Sequence, residues 1–129
     1  MRLEQAIILS PDFPTIVCLC GSTRFYQQFQ RANYEETMAG KIVLSVGFYR
    51  HYAESVERNR TEFHGENIGC TPEQKIALDD LHMRKIDLAD EVLILNVGGY
   101  IGESTARELA YARSLGKRVR FWEEVKATV

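Results

Sequence analysis

The chain has 129 residues, 45% hydrophobic and 26% charged, which suits one compact globular domain and excludes disordered, collagen-like and disulfide-scaffold classes. Its 16 basic and 18 acidic side chains give a formal net charge of −2. A protein built to grip a nucleic-acid polymer carries a basic surplus, so any phosphate bound here is held locally by backbone amides and one or two cations. No apolar run approaches the ~20 residues that cross a bilayer, and no membrane partner is expected.

In chain order, MRLEQAIILSPDFP places Glu4 and Gln5 before a very short apolar stretch and lacks a small-residue cleavage site, unlike a secretory signal. The opening ten residues supply a candidate extra edge strand. Thr15–Cys20 (TIVCLC), bounded by Pro14 and Gly21, reads as a buried strand. Ser22 to Met38 reads as a helix ending at Gly40, with Phe25, Phe29 and Ala32 inward. Lys41–Val46 is a second strand. Between Phe48 and Thr71 the periodicity disappears, as in a lid or binding loop. Tyr49, Arg50 and His51 lead its lid candidates, with Tyr52, Arg58, Arg60, Phe63 and His64 behind them. This mixture suits stacking a base and pairing a phosphate; a solvated excursion is the simpler alternative.

Pro72 opens a helical pattern over Glu73–Ala89, with Leu78, Leu81, Lys85 and Leu88 as one stripe. Glu91–Val97 (EVLILNV) is a continuous apolar run of the kind buried on both faces. Thr105–Leu115 is a third helix closed by Gly116, and Arg118–Trp122 a last strand. Strands alternating with helices imply a parallel sheet with right-handed crossovers. The expected fold is three-layer α/β, flavodoxin- or Rossmann-like, with strand order 2-1-3-4. Its switch point falls between the TIVCLC and EVLILNV strands, and ligands bind outside the carboxyl ends of such strands. Gly21-Ser22-Thr23-Arg24 and the Gly98–Thr105 turn, with Gly102, bring two helix starts to that crevice.

Three cysteines, Cys18, Cys20 and Cys70, are an odd set, which favours a reducing cytoplasm over a disulfide framework. Cys18-x-Cys20 lacks zinc-knuckle spacing and a matching His/Cys pair, so no metal is expected. Glu108 lies one turn into the third helix, where a partly desolvated carboxylate beside an anomeric carbon acts as a nucleophile. Thr105-x-x-Glu108 is equally a capping box, in which Glu108 only returns a hydrogen bond to the helix start.

The stretch Ser104-Thr105-Ala106-Arg107-Glu108-Leu109-Ala110-Tyr111-Ala112, after Leu88-Ala89-Asp90-Glu91-Val92, resembles the signature of the nucleoside 2-deoxyribosyltransferase superfamily. That superfamily includes 2′-deoxynucleoside 5′-monophosphate N-glycosidases. Thr105, Glu108, Tyr111 and Ala112 match its Gly-Thr-x-x-Glu-x-Gly-Tyr-Ala segment, while Ser104 and Ala110 stand where glycines are common. The likeness covers nearly the whole chain, GSTRF and NVGGYIGEST included, and is greatest to a small uncharacterised branch.

The resemblance implies that Glu108 attacks C1′ of a nucleoside or nucleoside 5′-monophosphate. It places Gly21, Ser22 and Arg24 on one side of the sugar phosphate, and Ser104 and Thr105 on the other. Ser22 and Ser104 also suit helix N-caps, and Arg24 suits a solvated first turn. Many members carry an aspartate where this chain has His82, whose face is flanked by Leu78 and Ile86. An imidazole there either protonates a leaving base or sits as a hydrogen-bonded core histidine. A carboxylate nucleophile implies no metal or organic cofactor, and the family implies a homodimer or larger homo-oligomer.

Two other readings stand beside this one. A nucleotide-binding module would use Glu108 only as a cap or ribose acceptor. Cys18-Leu-Cys-Gly-Ser-Thr-Arg24 also has the Cys-x5-Arg spacing of phosphatase phosphate loops. Phe25 follows that arginine, and the prolines Pro11, Pro14 and Pro72 supply no Asp-Pro acid. No Walker A ending or Gly-x-Gly-x-x-Gly follows the first strand.

Overall fold

Ile16–Cys20 forms β1, whose five residues are all buried. It is followed by a 3-10 turn (Thr23–Phe25), helix α1 (Tyr26–Met38), β2 (Ile42–Leu44), α2 (Pro72–Leu88) and β3 (Glu91–Ile94). A second 3-10 turn (Val97–Gly99), α3 (Glu103–Ser114) and β4 (Arg118–Phe121) complete the order. The computed structural model describes residues 12–47 and 71–125. The proposed edge strand in the opening ten residues, and the lid candidates Tyr49, Arg50 and His51, lie outside them.

The four strands are parallel, in the order β2-β1-β3-β4. Alternation along the two central strands sends Ile16, Cys18, Cys20, Val92 and Ile94 to one face, against Ile86 and Ala89 at the end of α2 and Ala112 of α3. Val17, Leu19, Leu93 and Leu95 go to the other, against Phe29 and Ala32 of α1. The result is a three-layer, Rossmann-like α/β fold of the expected strand order. Among the described residues, no helix is long and apolar enough to cross a membrane.

The stripe of Leu78, Leu81, Lys85 and Leu88 on α2 is not the face against the sheet, since Leu81 and Leu88 are each 52% exposed. The residues that reach the sheet are His82, Ile86 and Ala89, at the i, i+4, i+7 positions of one helical face, in keeping with the inward face expected for His82 beside Ile86.

Polar groups clamp the sheet at the amino ends of its strands. Asp90 Oδ2 accepts from Ile16 N–H at 2.8 Å, and Asp90 N–H donates to the Ile16 carbonyl at 2.8 Å. Glu91, 3% exposed, accepts from Lys41 Nζ and Arg120 Nη2, both at 2.9 Å. Glu36 pairs with the same two cations. Burial alone would raise the Glu91 pKa, but the hydrogen bonds and charges of Lys41 and Arg120 outweigh it and hold it below the ordinary carboxylate value.

At the carboxyl ends β1 and β3 part at Gly21. A Cβ there would sit 3.0 Å from Leu95 Cβ and 3.3 Å from the Leu95 carbonyl oxygen. Only glycine lets the chain turn this close to β3.

Glu91→Gln is expected to lower the unfolding free energy by about 2 kcal/mol at pH 7, since it leaves two cations poorly compensated. Because the folded state lowers the Glu91 pKa, its contribution is present above the ordinary carboxylate range and lost as pH falls through the folded value. Urea unfolding of both proteins should therefore show the gap closing in acid.

Candidate functional site

Where β1 and β3 diverge, the chain leaves towards α1 on one side of the sheet and α3 on the other, opening a cavity of about 460 Å³. Its walls are Gly21, Ser22 and Thr23 after β1, Val46 and Gly47 after β2, one face of α2, and Tyr100 to Thr105. His82 and Glu108 form its floor. Gly21, Ser22, Gly102, Ser104, Thr105, His82 and Glu108, all proposed from sequence, thus surround one space.

The start of α3 differs from both capping expectations. Gly102, in extended backbone at φ −78° and ψ 176°, is the N-cap, and its carbonyl accepts the first helical bond from Ala106 N–H at 2.9 Å. Thr105 is therefore the third helical residue and Glu108 the sixth, too far along for a capping box. Ser104 is not an N-cap either. No side chain caps this helix, and the residues at its start, Gly102 to Thr105, line the cavity. Ser104 Oγ instead accepts from Arg107 Nη2 at 3.3 Å and lies 3.4 Å from Lys75 Nζ. Ser22 does act as a cap, its Oγ accepting from Arg24 N–H at 3.3 Å.

Arg24 is not among the residues that line the cavity. Its guanidinium lies 4.6 Å from the Tyr100 ring centroid, and Phe25 meets the same ring edge-on at 5.9 Å. The cations on the wall are Lys75 and Lys85, which sequence reasoning missed. Lys75 Nζ holds Asp79 at 2.9 Å, and Lys85 Nζ donates to the Ser45 carbonyl at 2.6 Å. The signal was present. Lys75, Asp79 and His82 repeat at helical spacing on the side of α2 that runs along the crevice.

Glu108 is 8% exposed and His82 6%. His82 Nε2 lies 3.8 Å from Glu108 Oε1, 3.4 Å from Cys20 Sγ and 3.7 Å from Cys18 Sγ. Both thiols point this way because residues 18 and 20 share the face of β1 turned towards α2 and α3. The histidine that Cys18-x-Cys20 lacked at local spacing thus arrives from α2. His82 Nδ1 is buried without a hydrogen-bond partner among the described residues. Cys18 itself is fully buried within β1, paired to β2 and β3, and the strand runs on to Cys20. It is not presented to the Gly21–Arg24 turn as a phosphate-loop cysteine would be.

Burial raises the Glu108 carboxyl to about 7, with the His82 charge opposing and those of Cys18 and Asp79 adding to the shift. Burial also disfavours the His82 cation, but the hydrogen bond and charge of Cys18 and the charge of Glu108 prevail and raise its pKa. Hydrogen bonding between the thiols lowers Cys18 and raises Cys20. The charges of the Glu108 carboxyl, the His82 imidazole and the Cys18 thiol are therefore linked to one another, while Cys20 is held as the neutral thiol.

Comparison with protein-family models and with curated protein sequences finds no match to this chain.

A carboxyl raised from 4.5 to about 7 weakens the fold once ionised, by roughly 3 kcal/mol. Its stabilising share is complete below the unfolded value and disappears as pH rises through the folded one. Glu108→Gln is expected to match wild type near pH 4 and exceed it by up to that amount at pH 8, measured by denaturant unfolding across the range. A pH-independent difference would show that the carboxyl is not desolvated.

Proposed function

We propose that the protein cleaves the N-glycosidic bond of a nucleoside or nucleoside 5′-monophosphate, with Glu108 as nucleophile. The observation that carries this reading is a desolvated carboxyl on the floor of a cavity at the switch point, with an imidazole 3.8 Å away. The resemblance of Ser104–Ala112 to the nucleoside 2-deoxyribosyltransferase signature supports the same assignment.

The ionised Glu108 oxygen attacks C1′, forming a glycosyl ester as the C1′–N bond breaks. The departing base nitrogen takes a proton, for which His82, lining the same cavity as Glu108, is the acid. Water then adds at C1′, releasing the sugar and restoring the carboxylate, while its proton returns to the imidazole. Hydrolysis is favoured over transfer to a second base because the phosphate-holding members of the superfamily that the signature resembles hydrolyse.

A 5′-phosphate would sit against the uncapped start of α3, where amides and the helix dipole favour an anion. Lys75, already turned towards Ser104, supplies the cation. Arg24 stacked beside Tyr100 offers a flat edge for the base at the rim. The same reading takes the protein as a cytoplasmic homo-oligomer, supported by Ile76, Leu81 and Leu88, which α2 leaves exposed.

Base release from a panel of nucleosides and monophosphates, followed chromatographically, tests this function. Glu108→Gln is expected to cut turnover by at least about 10³-fold with fold and nucleotide binding kept. Wild-type kcat/KM should be bell-shaped in pH, because it needs Glu108, raised to about 7, ionised and His82, also raised, still protonated. Lys75→Ala should raise KM for a monophosphate about tenfold and leave the free nucleoside unchanged. Thermal stabilisation by nucleotide with no product from any substrate would assign a binding module instead.

A further inference from the structure

Beneath the cavity floor, Cys18 Sγ, Cys20 Sγ and His82 Nε2 all lie within 4.8 Å of one another. All three residues are buried. A simple hydrogen-bonded pair does not explain this arrangement. Nε2 has either one proton to give or one lone pair to offer, so it satisfies one sulfur at a time. Here both sulfurs converge on it, at 3.4 and 3.7 Å. Donor atoms gather in this way around a shared ion.

The separations can be set against a tetrahedral site. Bonds of 2.3 Å to sulfur and 2.0–2.1 Å to nitrogen place neighbouring sulfur and nitrogen donors about 3.5 Å apart. The two observed distances lie on either side of that value. A carboxylate oxygen, Glu108 Oε1, is 3.8 Å from Nε2, where about 3.4 Å would close a fourth position. With all three donor atoms within 4.8 Å of one another, drawing the sulfurs together takes no more than about 1 Å of side-chain movement.

We propose that Cys18, Cys20 and His82 form a binding site for a thiophilic divalent cation of the zinc type, with Glu108 beside the fourth position. Two sulfurs and an imidazole select zinc-like ions over magnesium or calcium, which take oxygen donors. The charges suit the location. Two thiolates cancel a dication, so a neutral group replaces two thiols in a dry layer between sheet and helices. Coordination forms two metal–sulfur bonds and one metal–nitrogen bond and releases the two thiol protons to solvent, so binding tightens as pH rises. His82 and Glu108 line the cavity, which gives the ion its route to the buried sulfurs. This site does not depend on the proposed reaction but shares His82 and Glu108 with it, and an ion on Nε2 would remove the proton that the reaction draws from the imidazole.

Reduced, metal-free full-length protein dialysed against zinc chloride is expected to retain one equivalent by elemental analysis. Cobalt(II) chloride should produce a thiolate-to-metal charge-transfer band and the visible spectrum of a tetrahedral site. Cys18→Ser and Cys20→Ser should each weaken zinc binding on the order of 100-fold, with circular dichroism confirming the fold. Retention in the double variant equal to wild type, or no stoichiometric retention by wild type, overturns the site. Should the serine variants not fold, zinc protection of Cys18 and Cys20 from alkylation in wild type, read by peptide mass spectrometry, decides. Protection supports the site, and equal labelling with and without zinc refutes it.

Discussion

A carboxyl group shut away from water beside an imidazole is the constraint on which the site depends. Glu108 occupies the second turn of α3, facing α2 and the underside of β1. Removing a carboxylate from water is costly unless a cation or hydrogen bonds compensate it. His82 supplies part of the compensation at 3.8 Å, too far for a tight ion pair. The carboxyl is consequently raised to about 7 rather than held low. A group poised near neutrality is ionised often enough to attack and is poorly solvated when it does. The tight compensation seen at Glu91 would forfeit that property.

The two ends of the sheet show this difference directly. At the amino ends, Glu91 and Glu36 share Lys41 and Arg120, and Asp90 fastens β3 to β1 through both main-chain groups of Ile16. At the carboxyl ends other polar groups are left without a protein partner among the described residues. The start of α3 has no side-chain cap, and His82 Nδ1 has no partner among the described residues. A site that must receive a ligand needs donors and acceptors that the protein has not already used. The rigid end of the sheet fixes the strand positions that this less satisfied end relies upon.

Much of the architecture was legible because each strand is a short β-branched or apolar run between turn signals. TIVCLC is bounded by Pro14 and Gly21, and EVLILNV runs into Gly98 and Gly99, both at positive φ. Helix rotation was harder to read. Leu78, Leu81 and Leu88 form the more hydrophobic stripe of α2, yet the face buried against the sheet is the one that holds His82 and Ile86. The start of α3 was misread for a local reason. Thr105-x-x-Glu108 satisfies the capping pattern, but Gly102 begins the helix earlier, and a cap without a side-chain acceptor leaves no pattern to find. Lys75 and Lys85 escaped notice since a lysine on a helix is ordinarily solvated. The approach of His82 to Cys18 and Cys20 is a product of tertiary packing, absent from any local spacing.

The position of His82 ties these features together. Where an aspartate would add a second negative charge beside Glu108, like charges in a dry cleft would raise one carboxyl further and oppose joint ionisation. An imidazole reverses the sign. It opposes the rise caused by burial and, in the proposed reaction, would carry the proton that a departing base requires. Cys18 and Cys20 extend the effect, since a thiol lowered by its neighbours supports the imidazolium from below. The thiols beneath and the carboxyl above thus act on a single nitrogen, and the charge on that nitrogen sets what each of them can do. Replacing the histidine would therefore alter the acidity of Glu108, because the charge that opposes its rise sits on that ring.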